Sequence, residues 1–595
     1  MTVILGISAY YHDSAAAIIK DGKIIAAAQE ERFTRIKGDK SFPTNAINYC
    51  LNEAMVSIEE LNYIIFYENN LEKFQRIIVS AHNNIPQSIK TFVLSMSKWL
   101  TNNLWIDKEI AKKLMTKNNI IMYNHHLSHA ASAFYPSPYK KAAILTVDGV
   151  GEWATTTYGI GDGNRINIIK SMNFPDSIGL LYSAFTSYLG FKINFDEYKV
   201  MGLAPYGKPV YTDLIKKNIV TIYDDGSIKL NMKYFNFTKG ITMINRKFEK
   251  LFNKKSRIPE SKIEEKDMDI AASLQSVLNE ILLKLTNHIY KETKCENLVM
   301  AGGVALNVAA VGYLKKYSKF KNIWIQPAAG DAGGALGCAL GYYYNELNNK
   351  RKIDKNDSMQ GAFLGPEIKT ENEIVDQYFK TKKIKFTTLP EDKLIKEIVK
   401  NLEKGKIIGI ARGRMEFGPR ALGNRSIIAD SRLDDMQHKI NQKIKFREGF
   451  RPFAPIVLDK DRIKYFDMND ESPYMLSTYY VKEEKRFPLK EGIKGFALLD
   501  EKKSVIPAVT HVDYSARVQT IDKKRNVFTY KLLEEFKKET NCSCLVNTSF
   551  NVRDEPIVCT ELDAYNCFMK TEMDCVVIGN RFLKKEEQVV GDIYE

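Results

Sequence analysis

Cysteine is scarce in this chain: eight in 595 residues, scattered, with Cys542-Ser543-Cys544 the only close pair. That excludes a disulfide framework and a cysteine-based zinc site, and reads as the reduced thiols of a cytoplasmic protein. Long apolar runs are also missing, and none approaches the roughly 18 residues of a membrane span. The start Met1-Thr2-Val3-Ile4-Leu5-Gly6 lacks the basic region of a signal peptide and reads as a strand. No tandem repeat of solenoid length occurs. What remains is a cytoplasmic enzyme with no membrane partner. Its 44% hydrophobic and 27% charged residues suit that class, and its length calls for more than one domain.

The net charge of +15 allows a nucleic-acid partner but does not specify one. Lys and Arg are spread widely. The densest cluster, Lys380-Thr381-Lys382-Lys383-Ile384-Lys385, lacks interleaved aromatics and reads as a solvated face. Part of the cationic excess is expected to serve phosphate substrates.

Histidine is as rare as cysteine, at eight, yet three fall in Tyr123-Asn124-His125-His126-Leu127-Ser128-His129-Ala130. A spacing of four puts His125 and His129 on one helix face, with Asn124 as a cap and Pro136 to Pro138 as a stop. Two such imidazoles can hold one metal ion, as in the HExxH helix of zincins, but no Glu lies between them. Further ligands are expected from Asp148, which ends the apolar run 142–147, and from Asp331, in Gly330-Asp331-Ala332-Gly333-Gly334. Mixed imidazole and carboxylate ligation suits iron, manganese or zinc. His126 points to another face.

A nucleotide-binding pattern surrounds this set. Val3 to Ser8 reads as a strand, then Ala15 to Ile19, turned at Asp21-Gly22 into Lys23 to Ala28. Ile144 to Asp148, Ala154 to Ile160 and the Gly161-Asp162-Gly163 turn repeat that layout, which is the layout of the actin-like ATPase superfold. Leu298 to Asn307 offers a strand, the Gly302-Gly303 pair and a helix start at Asn307, suited to a phosphate or ribose. Met268 to Thr293 carries a helical apolar stripe that reads as core. Residues 99–117 and 208–265 read as insertions. The polar stretch 346–360 marks a boundary between a domain of residues 1–350 and one of residues 361–595.

These residues carry a family resemblance. His12-Asp13-Ser14-Ala15-Ala16-Ala17, Gln29-Glu30-Glu31-Arg32-Phe33, His125 to Ala130, Met201 to Gly207 and Ala301 to Asn307 are similar to the O-carbamoyltransferases of antibiotic and nodulation-factor biosynthesis, the tobramycin carbamoyltransferase type. The match continues through Arg414 to Gly423, Phe450-Arg451-Pro452-Phe453-Ala454-Pro455 and Asn547-Thr548-Ser549-Phe550-Asn551. The N-terminal part also resembles the universal tRNA threonylcarbamoyl transferase.

The resemblance implies an α/β protein: a duplicated actin-like domain followed by a YrdC-like α/β domain. It implies carbamoyl-adenylate formation from carbamoyl phosphate and ATP in the second domain, then carbamoyl transfer to a hydroxylated small-molecule acceptor in the first. Because that mixed anhydride hydrolyses readily, it also implies passage between the domains without release. The metal set is His125, His129, Asp148 and Asp331, with iron(II) the first choice and Mg2+ accompanying ATP. Gly302, Gly303 and Asn307 fall to the nucleotide. His12 takes the hydroxyl proton, oriented by Asp13 or replaced by it. Arg414, Arg420, Arg425, Lys443, Lys445, Arg447 and Arg451 form a basic set beside loop-fixing Gly and Pro. Of these, Arg420, Lys445 and Arg451 match the family motifs as carbamoyl-phosphate and adenylate contacts, with Asn547, Ser549 and Arg517; Arg420 and Lys445 are the catalytic pair. A homo-oligomer is compatible with this reading. The alternatives are a tRNA-modifying carbamoyl transferase, which would need an RNA platform, and an actin-like small-molecule kinase, which would have no use for paired imidazoles.

Overall fold

The computed structural model describes residues 1–101 and 103–588. Contacts divide the chain into two units: residues 1–30 with 38–358, and residues 31–37 with those from 359 onward. The segment 31–37, inside the first domain on the sequence reading, packs with the second unit. There Arg35 donates to the carbonyls of Pro556 and Ile557 at 2.8 and 2.7 Å, and Arg32 to that of Gly418 at 2.9 Å.

The first unit holds two five-stranded sheets. β1 (Val3–Ser8), β2 (Ala15–Lys20), β3 (Lys23–Gln29), β4 (Tyr63–Phe66) and β5 (Ile120–Met122) lie in the order β3-β2-β1-β4-β5. The hairpin pairs are antiparallel, and β4 and β5 add in parallel. β6 (Lys141–Val147), β7 (Ala154–Asp162), β8 (Arg165–Asn173), β9 (Asn297–Ala301) and β10 (Asn322–Ile325) repeat that order and those senses. This is the duplicated actin-like fold. Every residue of β1 is buried, as is all of β6 except Lys141, so both strands read as unbroken apolar runs rather than alternating ones. Asp21 and Gly22 both have positive φ, 46° and 76°, which matches the twist of a two-residue hairpin turn.

Close packing between helices sets the site's geometry. The helix Asp331–Gly341 runs against β1 and against the helix His125–Phe134. A Cβ on Gly6 would lie 1.9 Å from the Ala335 carbonyl oxygen, and one on Gly337 would lie 1.8 Å from that of Ser128. Only bare backbone allows such approach. The long helix Glu265–Thr293 buries Ile270, Leu274, Val277, Leu278, Ile281, Leu282, Leu285 and Ile289, the stripe read from the sequence. The first insertion, 99–117, takes in only the end of the helix Ile89–Thr101, then the turn Asn103–Trp105 and the helix Ile106–Lys113. The second contains the helices Thr212–Asn218 and Arg246–Leu251 and a small hairpin between them.

The second unit is an α/β body around one mixed eight-stranded sheet. Its strands run, edge to edge, Thr387–Thr388, Arg581–Lys584, Cys575–Ile578, Ile408–Ala411, Arg425–Asp430, Cys544–Ser549, Ala454–Leu458 and Gln519–Ile521. Helices Glu391–Glu403 and Val527–Thr540 pack on each other, and Leu394, Ile398, Leu402, Leu532, Leu533 and Phe536 join them to the sheet's core.

Candidate functional site

The helix His125–Phe134 starts at Asn124, whose side chain accepts from the Leu127 amide at 3.0 Å. One turn apart, the His125 and His129 Nε2 atoms stand 3.2 Å from each other. Asp148, at the end of β6, brings Oδ2 to 3.3 Å from His125 Nε2, and its Oδ1 accepts from the Gly303 amide at 2.7 Å. Asp331, the first residue of its helix, places Oδ1 3.7 Å from His129 Nε2 and 3.9 Å from His125 Nε2. The four side chains can each present one ligand atom within 4.8 Å of all the others.

These residues fit a divalent transition metal. Among the described residues the buried His125 and His129 Nδ1 atoms have no hydrogen-bond partner, and both Nε2 atoms face the carboxylates. Two nitrogens and two carboxylate oxygens suit iron, manganese or zinc over the all-oxygen shells of magnesium and calcium. Three members are buried and Asp148 is partly exposed, which leaves one side open.

Electrostatics mark the same place. Burial would depress the His125 imidazole, but the Asp148 hydrogen bond and the Asp331 charge outweigh it and push it up to about 9. Burial likewise opposes ionisation of Asp148, yet His125, His129 and the Gly303 amide hold it well below the usual carboxylate range. His126 behaves differently. Burial and its two histidine neighbours bring it down to about 3, and its Nδ1 bonds Thr146 Oγ1 at 2.6 Å.

His12 stands beside this cluster, its Nε2 3.7 Å from Asp331 Oδ2 and its Nδ1 3.1 Å from Asp13 Oδ2. Burial lowers its affinity for a proton, but Asp331, Asp13 and Asp148 reverse that and raise it to about 10. Tyr11 is half exposed next to it, with ring centroids 4.7 Å apart.

The glycine turn packs tightly beside the histidine cluster. Gly302 adopts φ +93°, and a Cβ there would meet the Val147 carbonyl oxygen at 2.3 Å. That approach delivers the Gly303 amide to Asp148. Asn307 caps the helix Val308–Tyr317 through the Ala310 amide, and its amide group exchanges two hydrogen bonds with Gln275. Both ends of Asn307 are therefore engaged within the fold.

In the second unit, cations gather. Arg517 is driven well below its ordinary range by burial and then by Arg420, Arg447 and Arg451, and its Nε has no hydrogen-bond partner among the described residues. Lys445 is buried and lowered in the same way, by burial first and by Arg447, Arg451 and Lys37. Its Nζ donates to the Ser549 carbonyl, to the Asn551 carbonyl at 2.9 Å and to Asn551 Oδ1 at 2.8 Å. Ser549 Oγ in turn donates to Asn551 Oδ1 at 2.7 Å. Asn547 donates to Gln519 Oε1 at 2.6 Å, while its own buried Oδ1 has no partner among the described residues. Arg447 donates to Asn441 Oδ1 at 2.7 Å and lies over the Phe453 ring, and Arg451 meets Glu448 at 3.8 Å. Concentrated positive charge with little exposure is what oxyanion substrates need.

Three members of the expected basic set do not join this cluster. Arg425 is fully buried in its strand and donates to the carbonyls of Cys559, Arg412, Gly413 and Pro366. Arg414 donates to the Leu364 carbonyl at 2.8 Å, and exposed Lys443 pairs with Glu572 at 2.9 Å. Their hydrogen bonds are structural.

A family model described as the carbamoyltransferase N-terminus matches residues 3–340, and one described as the carbamoyltransferase C-terminus matches residues 399–585. The chain belongs to the carbamoyltransferase family. It is 50% identical to an uncharacterized protein of Synechocystis sp. over 99% of this chain and 97% of that one. It is 34% identical to nodulation protein NolNO of Sinorhizobium fredii, over 97% and 79%. Nodulation protein U of the same organism is 26% identical over 91% and 92%. Among solved structures, component A of the Acidaminococcus fermentans (R)-2-hydroxyglutaryl-CoA dehydratase is similar at 14% identity and a TM-score of 0.31, over 58% of this chain and 98% of that one. HypF of T. kodakarensis also gives 14% and 0.31, over 60% and 50%. The repeated strand order, not these distant likenesses, establishes the fold of the first unit.

In this carbamoyltransferase several site residues carry no sequence signal. Glu152 is buried and accepts from the amides of His125 and Asn69, at 2.9 and 2.8 Å, and from Asn124 Nδ2 at 3.1 Å, so one carboxylate pins the start of the histidine helix. Tyr67 donates to Asp331 Oδ2 at 3.4 Å. Lys37 and Asn551 join the cationic cluster from loops. A lone Glu after glycine, or a Lys in a turn, has no periodicity to betray it.

Proposed function

We propose that this carbamoyltransferase works in two steps on two sites. In the second unit, carbamoyl phosphate, ATP and water give carbamoyl-adenylate, phosphate and pyrophosphate. In the first, an acceptor hydroxyl attacks the carbamoyl carbon and AMP leaves. The observation that carries this reading is the partition of chemistry: imidazoles and carboxylates in one unit, arginines and a buried lysine in the other.

Arg420, Arg447, Arg451 and Arg517 neutralise the crowded phosphoryl oxygens of the first step, and Arg suits bidentate contact with them. Lys445 positions Ser549 and Asn551 at the cluster's edge, and Asn547 offers its open Oδ1 to the carbamoyl amide. In the first unit His125, His129, Asp148 and Asp331 would hold the metal, with iron(II) the first choice. When bound, it supplies Lewis-acid stabilisation to the leaving adenylate. His12 moves the hydroxyl proton and Asp13 orients its Nδ1. His12 can accept that proton only when the charge of Asp148 and Asp331 is offset, since both carboxylates favour the imidazolium. The Gly302-Gly303 turn keeps Asp148 in place where the nucleotide's phosphates arrive.

The acceptor is a hydroxyl on a small natural product or sugar, in line with the antibiotic and nodulation-factor enzymes this chain resembles. The experiment is pyrophosphate release from ATP with and without carbamoyl phosphate. Release that requires carbamoyl phosphate supports the reading; ADP formation without it would favour a kinase.

A further inference from the structure

The helix Asn70–His82 is built against the usual pattern. Its buried residues are the polar Asn70 and Arg76, 3% and 8% exposed, while Leu71, Ile78 and Val79 face outward. Asn70, Lys73 and Arg76, spaced by three, share one side of it. That side is held close to the histidine cluster. The Asn69 amide donates to Glu152 Oε1 at 2.8 Å, the oxygen that also accepts from the His125 amide. Lys73 Nζ lies 5.2 Å over the ring of Tyr11, which neighbours His12.

The polar groups on this side are unsatisfied. Both side-chain amide atoms of Asn70 are buried with no hydrogen-bond partner among the described residues, and so is Arg76 Nε. Arg76 makes no hydrogen bond or ion pair among those residues. Its guanidinium lies 5.0 Å over the Phe174 ring, which attracts the cation but supplies no oxygen for its N–H groups. Glu68 and Glu152 act on its charge from a distance, and both are engaged elsewhere. Lys73 holds Glu68 at 2.9 and 2.7 Å, and Glu152 accepts from the Asn69 and His125 amides and from Asn124. A buried guanidinium without an anion is costly. Water can satisfy an amide, but it does not offset that charge.

We propose that Asn70 and Arg76 form an acceptor subsite beside His12, and that the acceptor carries an oxyanion, a carboxylate or a phosphate ester, for Arg76 to pair with. The Asn70 amide both donates and accepts, which suits the hydroxyls of the same molecule. Tyr11 separates this subsite from the metal ligands. Burial first, then Asp331 and Asp148, push the Tyr11 hydroxyl up to about 12, whereas neither aspartate is among the groups that act on Arg76. An anion at Arg76 is therefore distinct from a phosphate held at the metal set. The proposal rests on the reading that the first unit receives the acceptor.

The test is binding to the full chain, by saturation-transfer NMR titration, of D-glucuronate and D-glucose 6-phosphate against D-glucose, with AMP as a further probe. Wild type should bind the two acids about tenfold or more tightly than glucose. Arg76→Gln should remove that preference and Arg76→Lys should keep part of it, while AMP binds all three proteins alike. Equal binding of acidic and neutral sugars by wild type would overturn the proposal, and that comparison needs no variant to fold. An unchanged preference in folded Arg76→Gln would overturn it too. So would weaker AMP binding in that variant, which would assign Arg76 to the nucleotide. Because binding is measured without turnover, the subsite can fail while carbamoyl-phosphate-dependent pyrophosphate release stands.

Discussion

Gly337 and Ser128 meet backbone to side-chain space: a Cβ on Gly337 would sit 1.8 Å from the Ser128 carbonyl oxygen. This contact joins the helix that begins with Asp331 to the helix that carries His125 and His129. The spacing between the candidate ligands is therefore set by a residue that has no side chain.

Gly337→Ala should push the two helices apart. The expected cost is about 1–3 kcal/mol of stability, as for overpacking a dense core. Metal affinity should fall with it, while carbamoyl-phosphate-dependent pyrophosphate release remains. Thermal unfolding and metal titration of the variant check both; unaltered metal affinity would separate the packing from the site.

The metal assignment has a direct readout. Purified protein should carry about one equivalent of a transition metal, and a chelator should lower the unfolding temperature. His125→Ala with His129→Ala should abolish metal uptake, whereas His126→Asn should retain it. Metal content unchanged in the double variant would refute the ligand set.

Glu152→Gln tests the pin on the histidine helix. Gln places an NH2 group among three donors that now converge on a carboxylate, so about 1–3 kcal/mol of stability should be lost. Metal should bind about 10–100-fold more weakly, as when support behind a ligand is removed. Equal metal affinity in the folded variant would show that Glu152 serves the helix without serving the site.

Much of this arrangement was legible in the sequence, for physical reasons. A spacing of four fixes a helix face, so His125 and His129 could be paired before any coordinates. Asp148 and Asp331 were visible because each follows a strand-like stretch and meets a glycine turn. The repeated hairpins announced the duplicated sheet. Other features depend on distant chain and left no pattern. Arg425 looks like its basic neighbours, and only the central position of its strand turns it into a buried donor to carbonyls. Asn307 exchanges hydrogen bonds with Gln275, a partner far away in sequence that no local pattern points to. The segment 31–37 reads as part of one domain and packs with the other.

Lys445 Nζ donates to the Ser549 carbonyl, the Asn551 carbonyl and Asn551 Oδ1, three bonds that take all three protons of an ammonium. Lys445→Met removes these donors and leaves buried acceptors unpaired, so about 1–3 kcal/mol of stability should be lost. Binding of inorganic phosphate should weaken with it, because the cationic cluster loses a charge. Thermal unfolding and calorimetry of the variant measure both; unchanged phosphate affinity in the folded variant would place Lys445 outside the anion site.

The partition of chemistry between the two units is the central claim, and pyrophosphate release in three proteins tests it without knowledge of the acceptor. Wild type and His129→Ala should both release pyrophosphate from ATP when carbamoyl phosphate is present. Arg517→Ala, folded by circular dichroism, should release none. Loss of pyrophosphate release in folded His129→Ala, or its persistence in Arg517→Ala, would contradict the account.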